Sequence, residues 1–353
     1  MTDYLLSSLY LYLTGTCNLR CSHCWIAPVF SNGGDQGIPY EPLKNTIIEA
    51  IDLGLSSVKL TGGEPLLYPR FKELVLFLSK HDLSITIETN GMLLDDELAL
   101  FLNDNNVSQI SISLDSSDSK THDSIRGRKG AFEKTIAAIK AASNRDYHCQ
   151  VIMSLQRKNA ADLQNVIMLC HKLNAGSLKV NHLIPSGRAE DIFSEKNNLE
   201  LDELMEIYHR LGNEIHVPDD IEVVFDLPPG FRSVDELKAG SLVECGILNI
   251  LGILGSGDFS ICGVGQVEES LRLGNIEKNS ITDVWENNKT LLDLRNSLAR
   301  RLTGVCGKCI FRFQCLGGCR ANAYSVSGDL FAPYFLCSQL YEAGKFPLSR
   351  LTD

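Results

Sequence analysis

The sequence predicts an α/β fold: six βα units whose parallel sheet closes only part-way into a barrel, followed by a small cysteine-rich domain. Three observations predict it. Short β-branched apolar runs alternate with helical periodicity over the first two thirds of the chain. From about Leu227 the composition shifts to Gly, Pro and Cys. The cysteines themselves gather in two places, Cys17, Cys21 and Cys24 near the start and seven between Cys245 and Cys337.

The strands expected are Leu9–Leu13, Ser57–Leu60, Ser84–Glu88, Ser108–Leu114, Gln150–Leu155 and Leu178–Leu183. Helical periodicity fills the intervals at Pro42–Leu53, Arg70–Lys80, Asp95–Asn103, Ala131–Ser143 and Asp162–Leu173. In such a barrel the chemistry sits on loops at the C-terminal ends of the strands. An acidic helical stretch, Asn198–Leu211, closes the first domain, placed at 1–215, and 216–240 reads as a bridge. The second domain, 241–353, opens with a hairpin over Val243–Ile261 that turns at Gly255–Asp258. One helix, Ile281–Leu298, then leads into the cysteine-dense tail. With little apolar sequence of its own, that tail is expected to depend on metal for its fold.

Composition narrows the function. Against 44 acidic residues stand 33 Lys and Arg, a net charge of -11 with no basic run, so a phosphate backbone is not the partner and nucleic acid is excluded as the main substrate. No apolar run reaches the ~18 residues of a membrane span. The start, MTDYLLSSLYLYLTG, lacks the basic region and cleavage site of a signal peptide. The chain therefore reads as cytoplasmic, with no membrane partner. Twelve cysteines in a reducing compartment point to metal ligation rather than disulfides.

Thr14-Gly-Thr-Cys17-Asn-Leu-Arg-Cys21-Ser-His-Cys24-Trp25 follows the first strand, which puts three thiols on a loop at the strand's C-terminal end. Three cysteines spaced in this way can hold three irons of a four-iron cubane and leave the fourth open for a chelating small molecule. Zinc would need a fourth ligand, and His23, adjacent to Cys24, is poorly placed to complete a tetrahedron. The loop resembles the defining motif of the radical S-adenosylmethionine superfamily. There the open iron binds the methionine part of the cofactor, and reductive cleavage of the sulfonium yields a 5′-deoxyadenosyl radical that takes hydrogen from substrate. The resemblance continues in order along the chain, over roughly residues 5 to 190. Gly62, Gly63 and Glu64 of Thr61-Gly-Gly-Glu-Pro65 are implied to hold the cofactor's ammonium. Asn90 after the third strand, with Ser113 and Asp115 at the end of the fourth, is implied for the ribose and carboxylate; Arg126 is a candidate to pair with that carboxylate. Leu183, in Leu-Ile-Pro185, is implied to line adenine.

The C-terminal array runs Cys245, Gly257-x4-Cys262, Cys306-x2-Cys309-x5-Cys315-x3-Cys319 and Cys337. It resembles the SPASM extension, which implies two auxiliary four-iron clusters with interleaved ligands: Cys306, Cys309, Cys315 and Cys337 for the outer, and Cys245, Cys262 and Cys319 for the inner. Three clusters in all are implied, with S-adenosylmethionine and a flavodoxin- or ferredoxin-type electron donor. Some relatives add a further cysteine to the inner cluster; none occurs in 236–244 or 246–261, so an open iron or a non-cysteine ligand is expected there. Cys149 and Cys170 read as buried core thiols, with a hydrogen-donor thiol as the alternative. Trp25 is expected to pack beside the cluster, and His122, His148, His171 and His182 carry no interpretable spacing.

Enzymes resembling this architecture modify peptides, epimerise residues or make formylglycine. Formylglycine-forming relatives place an aspartate after the second inner-cluster cysteine; Gly263 here argues against that activity. The first strand begins almost at Met1, leaving no room for an N-terminal leader-recognition domain, so a leader peptide is expected to bind the core, on a sheet edge for example, or to arrive with a separate recognition protein. The expected function is maturation of a ribosomally made precursor peptide by an intramolecular thioether or carbon-carbon crosslink. Peptide epimerisation and modification of a small molecule or tetrapyrrole are the alternatives. A degenerate, non-catalytic binding partner is disfavoured by the intact Cys17, Cys21, Cys24 and Glu64. No catalytic base is assignable; Glu88 and Asp115 stand near the expected barrel mouth.

Overall fold

A computed structural model describes residues 4–31, 36–238 and 245–352. The six expected strands form within two residues of their expected bounds: β1 Ser8–Tyr12, β2 Ser57–Thr61, β3 Ser84–Thr89, β4 Val107–Ser113, β5 His148–Leu155 and β6 Ser177–His182. All pair parallel in sequence order. Helices Tyr40–Asp52, Phe71–Lys80, Asp96–Asn103, Ala131–Ser143 and Leu163–Lys172 connect them.

Period-two alternation sorts the two faces of this sheet. The helix-facing set, Leu9, Leu11, Leu60, Ile85, Ile87, Ile110, Ile112, Val151, Met153, Leu178 and Val180, is fully buried and anchors one core. At about 1.5–3 kcal/mol for each large side chain, this face drives closure of the barrel. The opposite, inner face is polar and cross-linked from strand to strand. Lys59 pairs with Glu88 at 2.9 Å, Ser111 and Gln150 lie 3.1 Å apart, Gln150 reaches Ser177 at 3.2 Å, and Lys179 pairs with Asp226 at 3.4 Å. The barrel interior is thus a largely paired polar surface that can face a polar cofactor, with Asn181 Oδ1 left without a partner among the described residues.

The sheet extends beyond six strands at both ends. The segment expected as a bridge contributes β7, Glu222–Asp226, parallel to β6. On the other side the C-terminal hairpin, β8 Ile250–Ile253 and β9 Asp258–Ser260, lays β8 parallel against β1, and β10, Arg272–Asn275, follows. The order is β10-β9-β8-β1-β2-β3-β4-β5-β6-β7, a single ten-stranded sheet. Val243, where the hairpin was expected to begin, lies outside the described residues. The apolar core also runs through both regions without a break, so the cysteine-rich part borrows its core from the barrel. Trp285 is buried against this junction, its Nε1–H donating to the Tyr4 carbonyl at 3.2 Å while the Arg295 guanidinium stacks 3.5 Å from its ring centroid.

The single helix expected over Ile281–Leu298 is two, Ile281–Asn287 and Lys289–Arg301. Asn288 makes the break: at ψ 125 it leaves the helical region, and its side chain caps the second helix by accepting from Thr290 and Leu291 N–H. Among the described residues no helix is long and apolar enough to cross a membrane.

Candidate active site and auxiliary thiol sites

The loop carrying Cys17, Cys21 and Cys24 leaves β1 and is gripped from three sides. Gly62, at φ +122, and Gly63 bring the β2 turn against it: Gly63 N–H donates to the Thr14 carbonyl at 3.0 Å and Glu64 N–H to the Thr16 carbonyl at 2.9 Å. A Cβ on Gly63 would overlap the Thr16 carbonyl oxygen, so only glycine permits this approach. On the second side Arg20 and Ser22 N–H donate to the carbonyls of Arg126 and Ile125, and Gly127, at φ +69, leaves room for Arg20. The third grip was missed by sequence reasoning. Arg188 donates from Nε to the Cys21 carbonyl at 2.9 Å and from Nη1 to the Pro28 carbonyl at 3.3 Å, while its N–H meets the Cys24 carbonyl. Its one signal was its place, two residues after Ser186, in the loop beyond the sixth strand.

Each expected cofactor residue stands at this mouth. Glu64 is buried; its carboxylate accepts from Thr89 hydroxyl at 2.6 Å, Asn90 N–H at 2.9 Å and Leu66 N–H at 3.2 Å. Burial nevertheless outweighs these donors and raises its pKa to about 7. Asn90 donates to Asn18 Oδ1 at 2.8 Å and lies 3.7 Å from Cys17 Sγ. Asp115, fully buried, accepts from Ser154 N–H, pairs with Arg126 at 2.8 Å and lies 3.9 Å from His23 Nδ1. Arg126 also reaches Cys21 Sγ at 3.7 Å, so part of its guanidinium is committed to Asp115 and the thiol. Ser113 ends β4, and Leu183 lines the cavity beyond β6. Burial pushes Cys17 up to about 12 and raises Cys21, so these thiols are protonated until metal displaces the proton.

The seven C-terminal thiols lie as two neighbouring groups, with Cys315 bordering the cavities of both. Burial raises the pKa of Cys262, Cys319 and Cys245; Cys319 and Cys245 raise Cys262 further, and Cys245 raises Cys319. Cys306 and Cys337 share a hydrogen bond, and Cys315 feels Cys306 and Cys309. The outer set rings a small apolar void of about 20 Å³ that Pro229, Gly230, Val305 and Phe346 complete. Cys315-Leu-Gly-Gly-Cys319 can turn from one set to the other because Leu316, Gly317 and Gly318 all take positive φ. Among the described residues no three His, Cys, Asp or Glu side chains converge as a single-ion site requires; these thiols are spread around voids. The donor set, all sulfur with apolar walls, suits iron-sulfur clusters. Part of the segment searched for an eighth ligand, 239–244, lies outside the described residues.

This arrangement matches known families. The profile of the radical SAM superfamily aligns with residues 11–170, which contain all three loop cysteines, and that of an iron-sulfur cluster-binding SPASM domain with residues 245–310. The chain belongs to the radical SAM superfamily. It is an S-adenosylmethionine radical enzyme with a SPASM domain, implying a cofactor-binding four-iron cluster and auxiliary iron-sulfur ligation, and it acts on a peptide or a small molecule. Among its relatives, an AdoMet-dependent heme synthase of Methanosarcina barkeri is 28% identical, covering 94% of this chain and 96% of that one. The antilisterial bacteriocin subtilosin biosynthesis protein AlbA of Bacillus subtilis is 30% identical, covering 87% and 65%. In three dimensions the radical SAM fold here superposes on Streptococcus suis SuiB, solved with its precursor peptide SuiA, with a TM-score of 0.72 at 18% identity, covering 95% of this chain and 76% of that one.

Between the loop and the inner thiols lies a cavity of about 330 Å³, walled by His23 and Trp25 on one side and Cys245 and Cys319 on the other. His182 and Tyr334, which carried no sequence signal, face it. His182 Nδ1 stands 2.9 Å from the Asp226 carbonyl, which can only accept, so Nδ1 bears the proton and Nε2 accepts from the Tyr334 hydroxyl at 2.8 Å. Gly263 also finds its reason here: the Tyr12 phenol occupies the space a Cβ would need. Cys149 and Cys170 are buried in the core, away from this mouth, with burial pushing them up to about 11 and about 12.

Proposed function

We propose that this enzyme matures a ribosomally synthesised peptide by forming an intramolecular thioether or carbon-carbon crosslink. The cavity carries this reading: none of its described lining residues is Lys or Arg, and its one carboxylate, Asp226, is paired with Lys179. Its walls offer amide, imidazole, phenol and apolar groups, which suit an uncharged peptide segment. A tetrapyrrole bearing several carboxylates would call for cations there. The name of the Methanosarcina barkeri relative supports that second reading, and the AlbA and SuiB names support the first.

In this proposal Cys17, Cys21 and Cys24 hold the cofactor's cluster, Cys306, Cys309, Cys315 and Cys337 the outer auxiliary cluster, and Cys245, Cys262 and Cys319 the inner one. Glu64, with Gly62 and Gly63, receives the ammonium of S-adenosylmethionine; Asn90, Ser113, Asp115 and Arg126 face its ribose and carboxylate, and Leu183 its adenine. When bound, the cofactor and its cluster supply the hydrogen-abstracting radical. The chain's own part is to hold the peptide between His23 and Cys319, exclude water, and keep the Tyr334 proton directed at His182 Nε2. A flavodoxin or ferredoxin delivers the electron. The leader segment pairs with the terminal strand β7, Glu222–Asp226, or comes with a recognition protein.

The test incubates the reconstituted enzyme with small peptides encoded alongside it. A mass lower by two hydrogens per crosslink is expected; an unchanged mass for every such peptide overturns the proposal. A mass unchanged in ordinary water but raised by about one unit for each deuterium taken up in heavy water identifies epimerisation, and a visible absorption change with a tetrapyrrole identifies the second reading.

Cofactor binding is expected to depend on pH through Glu64. Its carboxyl titrates near 7 rather than near 4.5, so below pH 7 a proton must leave before the ammonium can pair with it. Affinity for S-adenosylmethionine is expected to fall up to about tenfold per unit as pH drops below 7, and to level off above it. Glu64→Gln is expected to bind weakly with no such slope, as measured by calorimetry between pH 6 and 8.

A further inference from the structure

Arg320 begins the helix Arg320–Ser327, directly after Cys319, and its side chain is fully buried. Its guanidinium donates to four backbone carbonyls: Gly318 at 3.3 Å, Leu330 at 3.1 Å, Ala332 at 2.7 Å, and Gly317. Among the described residues no carboxylate pairs with it. Carbonyl dipoles satisfy its donors but leave a net charge buried, which is unfavourable unless an anion compensates.

The anions would be the thiolate-bound clusters held by the thiol groups on either side. Gly317 and Gly318 join outer Cys315 to inner Cys319, and the Leu330–Ala332 segment leads to Tyr334, whose N–H donates to outer Cys306 Sγ at 3.4 Å. The main-chain N–H of Arg320 donates to inner Cys245. The guanidinium therefore stands on the wall between the two groups, bonded to the turn that joins Cys315 to Cys319.

We propose that Arg320 is the shared counter-cation of the two auxiliary clusters and sets both of their reduction potentials. A four-iron cluster on thiolates is anionic and gains negative charge on reduction, so a cation in low-dielectric surroundings favours the reduced form. Because one cation serves both clusters, its removal shifts both, and an electron placed on one changes the cost of reducing the other. This rests on the two-cluster assignment above, and the test separates the two.

The experiment is an EPR-monitored redox titration of the reconstituted full-length protein, with iron analysis, for wild type, Arg320→Met and Arg320→Lys. The N-terminal cluster, recognised by its response to S-adenosylmethionine, is the internal reference. In Arg320→Met both auxiliary midpoints are expected to move negative, cutting the reduced fraction at fixed potential about tenfold, or ~59 mV for one electron. Arg320→Lys, which keeps the charge, is expected to hold both near wild type, and the reference is expected not to move. Wild-type iron near four per chain would instead defeat the cluster assignment itself. Full iron in Arg320→Met with one or neither auxiliary midpoint shifted overturns the role of Arg320. If Arg320→Met loses iron, Arg320→Lys decides: full iron with unmoved midpoints upholds the proposal, and lost iron or shifted midpoints make Arg320 a structural peg and overturn it.

Discussion

Replacing Cys17, Cys21 and Cys24 together by alanine is expected to lower the iron of the anaerobically reconstituted protein from about twelve to about eight per chain and to abolish 5′-deoxyadenosine formation. The three thiols share one loop, and a cavity separates it from the inner thiols. The loop is held by main-chain bonds to Thr14, Thr16, Ile125, Arg126 and Arg188, none of which uses a thiol. The variant should therefore keep its fold and its auxiliary iron. About four irons in wild type would defeat the auxiliary assignment, and cofactor cleavage by the variant would defeat the N-terminal one.

Gly63→Ala is expected to reduce cofactor cleavage about a hundredfold while leaving the protein folded. The added methyl would meet a backbone carbonyl, that of Thr16, and neither strand end can yield, because Thr16–Cys17 is itself paired with Val29–Phe30. Separation by even about 1 Å carries Glu64 away from the cluster loop, and misplacement on that scale costs on the order of 10²-fold in rate. The control is Gly130→Ala: φ there is +81, but no atom lies within 4 Å of the added methyl. That change is expected to cost about 1–2 kcal/mol of backbone strain with cleavage preserved. Equal cleavage by Gly63→Ala and wild type would show that the close approach is not what positions the cofactor.

What was legible followed from local chemistry. The six strands and five helices between them show in the alternation of apolar runs, because a half-buried strand needs period two and a helix 3.6, whatever surrounds them. The division proposed for the seven C-terminal thiols came from the resemblance of their array to the SPASM extension, because spacing alone does not say which of them share a cluster. Other features were not legible for equally physical reasons. Arg188 and Arg320 act through carbonyl oxygens, and every residue has a carbonyl, so no partner signature marks them in a sequence. His182 meets Tyr334 across 152 positions. Asn288 breaks a helix that periodicity alone would run through, because its capping bond outweighs a weak propensity.

By itself, then, the sequence of this protein determined the βα repeat, the three-thiol loop after the first strand and the paired glycines that approach it, all set by neighbours within a few residues. Only the tertiary structure decided that the sheet runs on to ten strands, that β8 of the cysteine-rich region docks parallel against β1, and that a cavity without cationic side chains lies between the loop and the inner thiols. The docking of β8 on β1, which joins the two parts of that sheet, depends on contacts between segments more than two hundred residues apart. Such contacts are fixed by the collective burial of the shared core, which no local stretch of sequence encodes.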